Sequence, residues 1–466
     1  MQMKFKKIRH LLWLSLLFPL LTSGQEPMQL SLTEAIRWSL ENNPEVRNAR
    51  TDVRIAKKKV AETTATGLPQ VSAGLSYMNY PDIPTQLIPD FLSPAVYGVL
   101  LDEGLVSEMP TGTSGRLFEA QFGTTHNATA KAELSQLIFS GSYLVGLQAS
   151  QAYASLSQSM LTKIRREVRE KTANAYYQAM VAQKGIDILD STEATLRQMA
   201  LEAQAIYEQG FIEETDAAQI GLLLAEVEAS RIQAAHQRDL AIRLLKLHLG
   251  LPSSQAIMLT DDLNTMISGI QTDILLNQGF DPVHHIDYAL VRNQETMQKL
   301  NVKLQRSAYL PTVAGFYSYQ QMAQRQDFDL FDPDGKWFPT QVFGAQIDIP
   351  VFSSGYRRFK VQQAQLELEK SRTTLNQVEQ SLSLAAENSR NTLRNAALIH
   401  ANKEKAMNLA SRIYEKTRVR YKSGMASSMD LQQAHNQFLQ AEGDYITAIL
   451  ELLLAKSAFD SLFSME

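Results

Sequence analysis

From Leu30 onward, apolar residues recur at Leu32, Ala35, Ile36 and Leu40, the three-and-four spacing of an amphipathic helix. Asn42-Asn43-Pro44 interrupts it, and a second helix is expected to about Thr66, so helices occupy 30–66. The period then changes. Val71, Ala73, Leu75 and Tyr77 alternate with Ser72, Gly74 and Ser76, which predicts a strand over 68–80. Residues 81–126, rich in Pro and Gly, predict an irregular loop. Alternation resumes at Ala128, Ala130, Ala132 and Leu134, a strand over 127–139 that closes at Phe139-Ser140-Gly141. No proline follows from Ser142 to Gln209, predicting one long helix over 141–209, a turn at Gly210 and a return helix over 214–250.

The plan then repeats. After a connector over 251–283 with short helices, a helix over 284–309 leads to strands over 310–321 and 341–352, separated by a loop. A second long helix (356–423), a turn at Gly424 and a return helix (428–463) complete the pattern. A constant offset of 214 (424 − 210) matches Tyr207 with Tyr421, Gly210 with Gly424, Asp216 with Asp430, Gln219 with Gln433, and Glu228 with Glu442. Two repeats, 25–250 and 284–466, therefore make up the chain after its leader. On the second long helix Val361, Ala364, Leu368, Ser371, Leu375, Val378, Leu382 and Ala385 form a heptad seam that needs a partner helix. Each long helix would span roughly 100 Å at 1.5 Å per residue.

Composition narrows the class. With 20% charged and 44% hydrophobic residues, the chain is neither disordered nor a bundle of membrane helices. Lys4, Lys6, Lys7 and Arg9 precede the apolar run Leu11–Leu21, and Thr22-Ser23-Gly24 offers small residues for cleavage, so 1–24 reads as a signal peptide. Its removal takes away four positive charges and moves the net charge from −4 to −8. There is no cysteine, which excludes disulfides and thiolate metal sites. Past the leader no apolar run is long enough for a membrane helix, so a membrane-spanning part would have to be a β-barrel. Four strands cannot close a barrel, and open edges in lipid are forbidden, so the strands must be shared among several chains.

Candidate chemistry is sparse. Asp216 and Asp430 each follow a turn and precede a helix, where N-capping is the simplest role. Gly210 and Gly424 suit a positive φ at a helix end. Phe211 and Met425, apolar just past each turn, fit either tip packing or contact with a partner. His284-His285 is the only histidine cluster, and neighbouring side chains diverge too far to chelate a metal. No phosphate-binding loop, G-x-S-x-G or H-E-x-x-H occurs, so no enzyme, cofactor or metal is expected.

Leu32-Thr33-Glu34-Ala35-Ile36, Asn43-Pro44-Glu45, the Leu-Pro pairs at 68–69 and 310–311, Phe139-Ser140 with Phe352-Ser353, and the two Tyr-x-x-Gly turns occur in the order of one family. The chain resembles the outer-membrane efflux proteins of the TolC type over nearly all its length. The resemblance implies a mostly α fold with a small β-barrel contribution. It implies a homotrimer whose twelve strands form one barrel in the Gram-negative outer membrane, above a helical coiled-coil tunnel through the periplasm. Its turns, with Gly210, Phe211, Gly424 and Met425, would dock a periplasmic adaptor, itself bound to an inner-membrane transporter of RND or ABC type. The family closes its tip with an Asp, a Tyr and an Arg, which map to Asp216, Tyr421 and Ala426, so the Arg is absent here. Its two acidic constriction rings map to Asp430 and Gln433, only the first being acidic. Three Asp430 side chains on one axis would favour cations, and their repulsion would raise their pKa values. The expectation is an exit duct for efflux or type I secretion, opened by an iris-like movement and latched less tightly than the family norm. The alternative is a periplasmic coiled-coil scaffold or adaptor without a pore.

Overall fold

A computed structural model describes residues 27–110, 116–330 and 332–463; the signal peptide expected over 1–24 lies outside them. In chain order the elements are β1 (Met28–Leu30), α1 (Leu32–Asn42), α2 (Pro44–Ala65), β2 (Gln70–Asn79), β3 (Thr85–Pro89), α3 (Leu92–Asp102), β4 (Leu117–Gln121), β5 (His126–Ser140), α4 (Gly141–Glu208) and α5 (Glu214–Leu249). There follow β6 (Ile257–Leu259), α6 (Leu263–Ser268), α7 (Thr272–Leu276), a 3-10 turn (Pro282–His284), α8 (Ile286–Ser307), β7 (Thr312–Arg325), β8 (Phe338–Asp348), α9 (Tyr356–Lys422) and α10 (Ser428–Phe463).

Several boundaries differ from the sequence reading. Leu30 belongs to a strand and not to the first helix, because Ser31 stops the helix there. The Ser31 backbone N–H donates to Glu34 Oε2 (2.9 Å), and the Glu34 N–H donates to Ser31 Oγ (3.3 Å), a capping box. β7 runs on to Arg325 because β5 pairs with it as far as His126. β8 begins at Phe338 and ends at Asp348, short of 352, since Pro350 has no N–H for a ladder. The segment 81–126 is not irregular throughout: among its described residues β3 and β4 pair with each other, and α3 lies between them. On α9 the seam holds at Ala364 and Leu382, both buried. It then shifts from Ala385, which is exposed, to Ala386, Leu393 and Ala396.

The chain divides into two compact units. The first comprises residues up to Val53, Ser157–Val291 and the chain from Leu375. Its largest core packs Leu30, Tyr176, Leu245, Leu249 and Leu453, and the buried Tyr176 hydroxyl donates to Leu30 O (2.9 Å). β1 and β6 pair in parallel, Leu30 opposite Leu259.

The second unit, Arg54–Leu156 with Arg292–Thr374, holds an antiparallel four-stranded sheet ordered β2-β5-β7-β8. Its register sorts the alternating residues by face. Val71, Leu134, Tyr317 and Phe343 lie in one row across the sheet, with Ala73, Ala132 and Tyr319 in the next row on that face. The opposite face carries Ser72, Glu133 and Ser318 in one row, ending at Val342 on β8, and Gly74, Lys131, Gln320 and Thr340 in another. The apolar face is bare: Leu75 is 87% exposed, Phe343 85% and Val71 76%. Apolar side chains so exposed, on a sheet with both edges unpaired, need an apolar medium and further strands. No described helix is long and apolar enough to cross a membrane.

Candidate functional site

The two helix-turn-helix ends belong to the first unit, α4 turning into α5 and α9 into α10. Both turns have the same bonding. The Gly210 N–H donates to Tyr207 O (2.8 Å) and the Phe211 N–H to Ile206 O (3.1 Å); the Gly424 N–H donates to Tyr421 O (2.9 Å) and the Met425 N–H to Arg420 O (2.8 Å). This is the Schellman arrangement, whose first residue past the helix is left-handed. Gly210 (φ +80°) and Gly424 (φ +72°) take that position. A Cβ would meet nothing at either, so backbone conformation and not space requires the glycine. Phe211, Met425 and Met429 project past the turns, 78%, 63% and 57% exposed.

The return helices begin differently. In α10, Ser427 is followed by Asp430 at the third helical position. The Ser427 N–H (3.0 Å) and Oγ (2.8 Å) donate to Asp430 Oδ2, and the Asp430 N–H donates to Ser427 Oγ (3.1 Å). These bonds, the backbone one foremost, hold the exposed Asp430 carboxyl below the usual carboxylate range. Within one chain the local effect thus opposes the rise expected from repulsion. Asp430 is not the capping residue itself; it completes Ser427's cap. In α5 the capping position is Glu213, which makes no side-chain cap bond. Asp216 at the third helical position, free of a capping serine, turns to the other hairpin. Its carboxylate accepts from Ser428 Oγ, which also lies within bonding distance of the Gln219 amide. A hydroxyl has one hydrogen, so with Ser428 donating to Asp216 the Gln219 amide nitrogen must be the group that faces Ser428 and donates. Ser428 is buried at 3% exposure.

Of the residues expected at a gate, then, Asp216 sits on a cross-hairpin hydrogen bond, but its described hydrogen-bond partner is Ser428 and not Tyr421. Tyr421 is half-buried nearby; burial and then the Asp216 charge push its hydroxyl pKa up. Asp430 and Gln433 are exposed, and Ala426 is partly buried. Sequence reasoning missed Ser428, whose partner lies 212 residues away. The S-x-x-D spacing of Ser427 and Asp430 was a legible cap signal. Behind the turns Leu196, Ile220, Leu223, Tyr414 and Leu431 form the tip core. His435 is in contact with that core, 1% exposed, its ring 5.2 Å from that of Tyr414 and neither ring nitrogen bonded. Burial lowers its pKa to about 4. Among the described residues no group of three side chains could hold a metal ion, and His284 pairs with Asp281 (2.8 Å).

The chain thus combines one amphipathic sheet with open edges and two matching glycine-turned helical hairpins. The profile of the family described as "Outer membrane efflux protein" matches residues 294–462, from α8 nearly to the end of α10. That match covers the second repeat, and makes this part of the chain similar to the family. Among relatives, the alkaline protease secretion protein AprF of Pseudomonas aeruginosa is 24% identical over 332 residues, 66% of this chain and 65% of AprF. The proteases secretion protein PrtF of Dickeya chrysanthemi is 21% identical over 238 residues, 50% of this chain and 49% of PrtF. The aligned regions thus span less than two thirds of either relative. The crystal structure of the outer membrane protein VceC of Vibrio cholerae, 15% identical, superposes with a TM-score of 0.65 over 93% of this chain and 96% of VceC. That likeness establishes the fold: mostly helical, with a sheet that a single chain does not close into a barrel. The family's description speaks of efflux, and the names of these relatives speak of protease secretion.

Proposed function

We propose that the chain is an outer-membrane exit duct. Three copies pair their sheets, edge β8 on the next copy's edge β2, into a twelve-strand barrel. The helices continue it into the periplasm. The observation that carries this reading is the sheet itself: a large, bare apolar face outside, a polar face with Lys131 and Glu133 inside, and two unpaired edges. Conduction is passive and the chain is not an enzyme. A periplasmic adaptor docks on the exposed Phe211 and Met425 beside Gly210 and Gly424, and couples the duct to an inner-membrane transporter. The names of AprF and PrtF favour a secreted polypeptide as cargo and hence an ABC-type transporter. The family description keeps small-molecule efflux as the second reading.

At the tip the Asp216–Ser428 bond ties the two hairpins of one chain, supported by Tyr421 and Gln219, in place of the family's charge-assisted latch. Asp430 lines the constriction, with Gln433 as a neutral second ring. The cap on Asp430 lowers its pKa and so works against the mutual repulsion of three such groups, and an ionised ring attracts cations. Single-channel recording in planar bilayers tests this. Small, cation-selective openings in the wild type that lose selectivity in Asp430→Ala are expected. Silent bilayers, from protein verified as folded and inserted, would overturn the duct.

A further inference from the structure

Both sheet connections far from the helices join neighbouring strands, yet they differ greatly in length. β7 and β8 are joined by residues 326–337, whereas β2 and β5 are joined by residues 80–125. The longer one is an arm: β3 and β4 pair only with each other, and α3 lies between them. It leaves the sheet at the Asn79–His126 pair, the end opposite Gln70 and Ser140, where α2 and α4 attach.

This arm is not stable on its own terms. A two-stranded hairpin is marginal in water, and an eleven-residue helix is short of what holds alone. From Leu92 to Leu101 α3 carries no charge, and none of its residues is buried. Phe91, Val96, Val99 and Leu105 stand 54–72% exposed. A helix apolar all round must be covered.

Lipid is a poor cover. An interfacial helix relies on Lys and Arg along its polar side; α3 carries neither, and the arm's one cation, Arg116, lies beside Asp90 at the start of α3 rather than along it. Eleven residues are also too few to span a bilayer. Asp90, Asp102 and Glu103 sit at the ends of α3 and leave its middle, Val96 and Val99, neutral. That middle can meet an identical apolar surface while the carboxylates stay in water.

We infer that α3 of each chain packs against α3 of neighbouring copies, so that the arms form an apolar lid over the outer mouth of the assembly. The inference rests on the barrel reading above. It draws further support from where the arm is rooted: β2 is a free edge, and in the alternating sheet the next copy's β8 would lie beside it. That pairing brings Trp337 and Phe338, 39% and 52% exposed, to the foot of the arm. The apolar surface at this end is therefore continuous across the seam between copies.

The chain's lack of cysteine makes the test direct. Val99→Cys, with Val96→Cys as a second site against a local folding defect, is expressed in outer membranes, oxidised, and run beside its native mass. The expected result is a native trimer in which two of every three chains are joined by a disulfide. A native trimer whose thiols stay single and react freely with an aqueous maleimide would overturn the lid and leave the duct standing. So would a trimer whose thiol-attached fluorophore is quenched by nitroxide lipids, which would make lipid the cover. Absence of a trimer would remove the barrel reading and the lid with it.

Discussion

The two tip hairpins share a turn, an offset and an aspartate at the third position of the return helix, yet that aspartate does different work in each. In the second, Ser427 caps α10 and Asp430 completes the box, so the carboxylate is held by its own helix start. In the first, the residue at the Ser427 position is Glu213, which offers no capping bond. Asp216, left without a local donor, accepts from Ser428 of the other hairpin. One substitution at a cap thus separates a local role from a cross-hairpin one. The same divergence appears further along. Glu228 pairs with Arg197 (2.9 Å), but Ser411 occupies the matching position in the second repeat. There Glu442 buries an unpartnered Oε2, and burial raises its pKa. Duplicated architecture fixes backbone positions; which carboxylate bonds to what depends on single neighbours.

That contrast can be broken or sharpened at four places. The largest effect is expected at His435, which has no counterpart in the first tip because Gly221 stands there. Its folded pKa of about 4 lies below the unfolded value near 6.5, so the unfolded chain binds more protons in between. Stability from this site is full above pH 6.5 and is lost as pH falls toward 4, by up to about 3 kcal/mol. His435→Leu removes a buried, unbonded N–H, and should raise the melting temperature and flatten its decline across that window. An unchanged slope would show that His435 does not carry the acid sensitivity.

Ser428→Ala comes next. It leaves Asp216 and Gln219 without their shared hydroxyl, a loss of about 1.5–3 kcal/mol for a bond to a charged group. Mean conductance should rise, whereas Tyr421→Phe should change it little. The opposite ranking would return the latch to Tyr421. Gly210→Ala and Gly424→Ala should each cost about 1–2 kcal/mol, since both need a left-handed backbone and neither lacks room. Equal losses by thermal unfolding would confirm that the turns, unlike the caps, remain equivalent. The smallest change is the most diagnostic: Glu213→Ser supplies the missing cap, worth about 1 kcal/mol to α5. It should draw Asp216 into its own box, giving a tip that melts higher but conducts like a weaker Ser428→Ala. A gain in stability with conductance unmoved would mean that Asp216 can serve both partners.

Much of this protein was legible in the sequence because the signals were local. The three-and-four spacing, the two-residue alternation and the absence of proline located the strands and the long helices to within a few residues. Gly210 and Gly424 announced their turns because only a left-handed position needs glycine there. Ser31 and Pro350 then trimmed the ends, through a cap and a missing N–H that act over three or four residues and escape a reading by period. The arm at 81–126 was illegible because its strands are five residues each and its apolar helix has no polar side to give it a period.

The sequence by itself determined the repeats, the element types and the alternation along each strand, since these depend on neighbours within a turn or two. Only the tertiary structure decided which strand face gathers the apolar rows, because register couples residues far apart in sequence. It alone decided, too, that Asp216 reaches Ser428, since a hydrogen bond between residues 212 apart leaves no trace in either neighbourhood.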